Sequence, residues 1–209
     1  MRTSRLEAFS DGVFAIAITL LVLDLRVNEA HRHDLRQALW FDLWPSYAAY
    51  VVSFFVIGVI WVNHHTVLDT LVRVDKTLIV LNMCLLFTVV TIPFTTSLFA
   101  EYLQEGDRAK IAAAIYSGLM LLHGVLWTTF WAYAVNHSHL LGPGIDRVKA
   151  KSSVRSFSLG VPAYSVAVLL SFVNAYVVLA LHLVLALVYL RGRIDLGDRV
   201  DASTAPSVE

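Results

Sequence analysis

Apolar residues collect in six long runs along this chain, over about 8–27, 43–64, 77–101, 109–136, 156–173 and 175–191, with short polar stretches between them. A helix of roughly 20 residues at ~1.5 Å rise per residue crosses a ~30 Å hydrocarbon core. The pattern predicts an all-α membrane protein with six transmembrane helices in one domain over 1–194. The polar, Pro- and Ser-containing stretch 195–209 reads as a disordered tail. Asn63-His64-His65 is expected to close the second run, and Glu101 to Lys110 to form a polar loop. Gly142-Pro143-Gly144 should break the chain ahead of a basic linker that runs to Arg155. Only the polar spot from Ser171 to Asn174 divides the last two runs, which predicts a tight helical hairpin. Pro93 and Pro162 should each kink their helix by removing a backbone donor.

The first run carries the most information. It reads Arg5-Leu-Glu-Ala-Phe-Ser-Asp-Gly-Val-Phe and then turns almost purely apolar. Steps of four and three residues return to one side of a helix. Arg5, Phe9, Gly12, Ile16, Thr19, Leu20 and Leu23 therefore share a face. At about 100° per residue, Asp11 lies roughly 140° away from Ile16, so it should point toward neighbouring helices. Ionisable groups at membrane depth are expensive and tend to be paired or functional. Ordinary helix packing, with Ser10 and Asp11 acting only as a helix cap, explains the same stripe equally well.

Composition and charge narrow the class. The chain is 57% hydrophobic and 15% charged, with a mean hydropathy of +0.67, well outside the range of soluble domains. Its formal net charge is zero, which leaves no argument for nucleic acid. The single cysteine, Cys84, rules out an intrachain disulfide and a cysteine metal site, and it reads as a small lipid- or core-facing residue. The first run is too long for a signal peptide, and no small-residue cleavage site follows it. With the N-terminus inside, Arg2, Arg5, Arg73, Lys76, Arg147, Lys149, Lys151, Arg155, Arg191, Arg193 and Arg199 face the cytoplasm. Arg26, Arg32, Arg36, Arg108 and Lys110 face outward. This excess agrees with six spans and with cytoplasmic N- and C-termini, in a multi-pass protein of the cell membrane.

The eight histidines suggest little metal chemistry. His123 and His182 fall in different runs, at no spacing that demands haem ligation. His31 and His33 lack the supporting ligands of a zinc site. No metal or other cofactor is expected. A buried carboxylate needs partners, so Asp11 is expected to hydrogen-bond with His64 or His65, with Trp61, Asn63 and Asn82 as further donors. There is no Gly-x-Ser-x-Gly elbow, His-Glu-x-x-His pair or phosphate-binding glycine loop. Asp11 and Asp24 lie ~20 Å apart along one helix and cannot act together. An enzyme is not expected. The potassium filter Thr-Val-Gly-Tyr-Gly, an Arg-rich voltage sensor and internal repeats are all absent. A small chain makes a pore most simply by oligomerising, with one helix per subunit lining the axis. The first helix would then stack layers of Ile16, Leu20 and Leu23 beside the Thr19 hydroxyl, an apolar constriction able to gate by dewetting. On these residues alone, a channel and a transporter rank equally.

The stretch from Arg5 to Thr19 resembles the Arg-x-x-x-Phe-Ser-Asp signature of the TMEM175 family of potassium channels. This chain looks like a bacterial member, with one six-helix unit where the animal lysosomal relatives carry two. The resemblance implies a homotetramer in the lipid bilayer, with a central pore lined by helix 1 and potassium as the permeant ion, modestly preferred over sodium. It implies a constriction that begins at Ile16 and continues through Leu20 and Leu23, with Thr19 as the hydroxyl layer linked to selectivity. Ala15 departs from the preceding hydroxyl that some members carry. Arg5, Phe9, Ser10 and Asp11 correspond to a lock that holds helix 1 against helices 2 and 3. The alternative is proton conduction, or proton-coupled transport, through a relay of Asp11 and His64/His65. A non-transporting membrane scaffold or enzyme is the third class.

Overall fold

The computed structural model describes residues 3–26 and 35–191. His31, His33 and the polar stretch 195–209 lie outside them. Seven helices account for most of the described chain: α1 (Thr3–Leu20), α2 (Trp44–Leu68), α3 (Lys76–Tyr102), α4 (Asp107–Asn136), α5 (Arg147–Ser158), α6 (Gly160–Ser171) and α7 (Ala175–Arg191). A 3-10 turn, Leu21–Asp24, extends α1, and a short helical segment over Leu35–Asp42 leads into α2. Among the described residues the only β pairing is one bridge between Leu71 and Leu141, which ties the α2–α3 turn to the α4–α5 turn.

Local chemistry sets the boundaries. Pro45 sits in the first turn of α2, where a missing N–H is harmless. The Asp75 carboxylate caps α3 by accepting from Leu78 N at 2.8 Å. Gly106, at φ +59°, separates α3 from α4 in a conformation that disfavours a side chain. Asp146 caps α5 by accepting from Val148 N and Lys149 N. Asn174 caps α7 through Tyr176 N and Val177 N.

Several expected boundaries move. The second run does not close at His65 but winds on to Leu68, because His64 turns inward and is buried. The Glu101–Lys110 loop shrinks to residues 103–106, since its charged ends are helical. The basic linker before Arg155 is the helix α5, with Ala150 and Phe157 buried and its cations outside. α5 and α6 form one near-continuous element interrupted at Leu159. Pro162 has no N–H to offer the Ser158 carbonyl, which explains the break that follows Ser158.

Among the described residues, five stretches are long and apolar enough to cross a membrane: Thr3–Asp24, Trp44–Leu68, Lys76–Tyr102, Asp107–Asn136 and Arg147–Ser171. The apolar α7 is shorter, at 17 residues. Two apolar clusters hold the bundle together. One gathers Phe14, Ala17 and Leu21 of α1 with Ile57, Val89, Ile92, Phe99 and Met120. The other surrounds Leu6 with Val67, Leu78, Leu85, Phe130 and Trp131. Helix α1 contributes to both, and the stretch between Leu6 and Phe14 crosses their junction.

Candidate functional site

Helix α1 has two unlike faces. Leu6, Ser10, Phe14, Ala17 and Leu21 are buried against α2 and α3. The opposite face is uncovered within the subunit: Ile16 is 60% exposed, Leu23 53%, Phe9 50% and Leu20 42%. Arg5, Ala8, Gly12, Ala15 and Thr19 are also exposed. A β-carbon added at Gly12 would meet nothing within 4 Å, so this face has open space over its small residues. The Thr19 hydroxyl donates to its own helix, to Ala15 O and Ile16 O, each at 2.9 Å.

The buried face carries an ordered polar chain at the junction of the two apolar clusters. The Ser10 hydroxyl donates to Leu6 O at 2.8 Å and accepts from Asn82 Nδ2 at 3.1 Å. Asn82 Oδ1 lies 2.7 Å from His64 Nε2. A carbonyl oxygen only accepts, so Nε2 carries the proton. His64 Nδ1 is buried and has no hydrogen-bond partner among the described residues. Phe14, Trp127 and Phe130 surround the His64 ring at centroid distances of 5.2, 6.1 and 6.4 Å. The chain thus joins α2, α3 and α1 with one donor direction throughout.

Asp11 belongs to a separate contact. It lies at the edge of this interface and accepts from Trp61 Nε1 at 2.9 Å. The expected pairing of Asp11 with His64 or His65 is replaced. His64 is turned inward to Asn82, while the His65 ring stacks on Trp61 and faces Glu7, with Nδ1 at 3.3 Å from Oε1. The indole reaches Asp11 because it projects from the same exposed side of α2. Asn63 lines a cavity of about 60 Å³ with His123, Trp127 and Tyr164. Arg5 and Phe9 remain on the uncovered face.

Two further buried histidines are each held by a hydroxyl. His123 Nδ1 meets the Thr88 hydroxyl at 2.7 Å, and His182 Nε2 meets Ser117 at 3.0 Å. The first links the successive helices α3 and α4, the second links α4 to α7, and no local spacing reveals either. Cys84 is exposed on α3. Sequence reasoning also missed a group at the membrane-proximal ends of α1 and α2: Glu7, His65 and Asp69. Its only local signal is the four-residue step from His65 to Asp69, because Glu7 is remote in sequence.

A family model described as the endosomal/lysosomal potassium channel TMEM175 matches residues 5–93. The chain is similar to a potassium channel of Streptomyces collinus, at 46% identity over 190 residues that cover 90% of this chain and 91% of the relative. It superposes with a TM-score of 0.79 on a lysosomal potassium-selective channel TMEM175 homologue from Chamaesiphon minutus, at 37% identity, covering 90% of this chain and 96% of that one. It is also similar to the mouse endosomal/lysosomal proton channel TMEM175, at 33% identity, over 60% of this chain and 28% of the mouse protein.

Proposed function

This chain belongs to the TMEM175 family, and on that premise we propose that it is a potassium channel of the cell membrane, a homotetramer whose α1 helices line a central pore. All six apolar helices then cross the bilayer, and both termini lie in the cytoplasm. Ile16, Leu20 and Leu23 form the constriction, with Thr19 supplying a hydroxyl layer. Arg5, Phe9, Ser10, Asp11, Trp61, Asn63, His64 and His65 belong to the structural network that sets the helix in place. The permeant ion is potassium, and no cofactor is needed.

The observation that carries this reading is the uncovered face of α1. A helix meant only for lipid gains nothing from exposing Gly12, Ala15 and Thr19 in a row with its large apolar residues. Small residues let helices approach closely where no hydrophobic force drives their association. A rotation axis along that face brings the same residues together from every subunit. The walls of such a pore offer an ion no ligands at Ile16, Leu20 or Leu23, so it passes hydrated or strips part of its shell at a cost. Potassium sheds water more cheaply than sodium, so the narrow apolar segment favours potassium.

The proton reading draws on the similarity to animal proteins named as proton channels. The polar network speaks against a relay through Asp11 and His64. Asp11 meets an indole that only donates, and His64 meets an amide, which does not readily pass a proton. Flux in liposomes under separate potassium and pH gradients tests the assignment. Potassium-dependent current is expected, with a weaker preference over sodium in Ile16→Asn. Current that follows the pH gradient and ignores potassium would overturn it.

A further inference from the structure

Glu7, His65 and Asp69 converge where the start of α1 meets the end of α2. One ligand atom from each lies within 4.8 Å of the other two. His65 and Asp69 are one helical turn apart, with Nε2 at 3.8 Å from Oδ2. Glu7 approaches from α1, at 3.3 Å from Nδ1. That nitrogen is shielded from water and makes no hydrogen bond among the described residues, so the carboxylate faces it without satisfying it. The three side chains are partly open to solvent, which leaves a route for an ion.

We propose that Glu7, His65 and Asp69 form a binding site for a divalent transition-metal cation, Zn²⁺ by ligand type, that pins the start of α1 to the end of α2. One imidazole with carboxylates is a donor set that suits zinc. Tetrahedral zinc with bonds near 2.0–2.2 Å places neighbouring ligand atoms roughly 3.3 Å apart. Ligand atoms within 4.8 Å of one another need up to about 1.5 Å of closure to reach that spacing, which rotation of the carboxylate side chains supplies. The four-residue step on α2 supplies a chelating pair, and Glu7 makes the site a bridge between helices. Trp61 stacks on His65 with centroids 5.8 Å apart and donates to Asp11, so the ion would also stiffen the contact that holds Asp11.

The test uses untagged full-length protein in detergent micelles, titrated with Zn²⁺ by calorimetry and with Cu²⁺ by quenching of tryptophan emission. The expected result is one saturable Zn²⁺ site per chain, weakened at least about tenfold in each of His65→Ala, Glu7→Gln and Asp69→Asn. Combined His31→Ala and His33→Ala substitution should leave it intact. Trp61→Phe should remove most of the Cu²⁺ quenching and keep Zn²⁺ binding. Absence of saturable binding in the wild type, or unchanged affinity in Glu7→Gln and Asp69→Asn, overturns the proposal, and these two near-isosteric variants keep the test alive if His65→Ala misfolds. The measurement involves no ion flux, so its failure leaves the channel assignment untouched.

Discussion

The two faces of α1 use the same few turns of helix for opposite purposes. On one, Ser10 and Phe14 are sealed among partners, and every polar contact is paired in a set direction. On the other, Ile16, Leu20 and Leu23 leave about half of their surface uncovered in their own subunit, and the one hydroxyl, on Thr19, is satisfied by its own backbone. The difference shows how a helix can be held rigidly while offering a bare surface. Polar bonds to α2 and α3 fix its rotation, so the apolar stripe needs no contacts of its own to keep its direction. Substitutions on the sealed face should therefore act on stability, and those on the bare face on ion passage.

The largest stability effect is expected at the centre of the sealed face. Asn82→Ala strands the buried His64 Nε2–H and removes the donor to the Ser10 hydroxyl, which keeps its own bond to Leu6 O, and should destabilise the protein by about 3 kcal/mol. Thermal unfolding in detergent measures it; a loss no greater than that of an exposed control such as Phe94→Ala would break the comparison. Ile16→Asn is the matching change on the bare face. It should leave the unfolding midpoint nearly unchanged and reduce the potassium-to-sodium permeability ratio several-fold, read from bi-ionic reversal potentials. An unchanged ratio would move the constriction away from Ile16.

Asp11→Asn sharpens the boundary between the faces. Its amide oxygen still accepts from Trp61 but loses the charge, so a loss of about 1 kcal/mol is expected, seen as earlier subunit dissociation with ion preference intact. The reverse outcome would place Asp11 at the pore. The smallest effect lies outside the membrane. Asp75 accepts from Leu78 N and from the Tyr133 hydroxyl, and these bonds, the backbone one first, hold its carboxyl below the usual range. A depressed folded value means a stabilising contribution that is complete above the unfolded carboxylate pKa of about 3.9 and lost as pH falls through the folded value. Melting curves between pH 5 and pH 3, taken as roughly that acid window, should flatten in Asp75→Ala relative to wild type.

Much of this was readable in the chain. The apolar runs determined a helical membrane protein, because length and lack of charge leave few alternatives in a bilayer. Helical periodicity separated Asp11 from the Ile16 stripe, since both lie on one uninterrupted helix and its geometry is universal. What the sequence left undecided depends on pairs from distant segments. Only packing decides that Asn82 rather than Asp11 receives His64, or that Trp61 rather than a histidine receives Asp11. The helix that replaced the expected linker, Arg147–Ser158, depends on burial of Ala150 and Phe157 against α4, which charge counting hides. Glu7 and His65 meet for the same reason. Periodicity sets which side of a helix a residue occupies, while the identity of its neighbour is a property of the folded bundle.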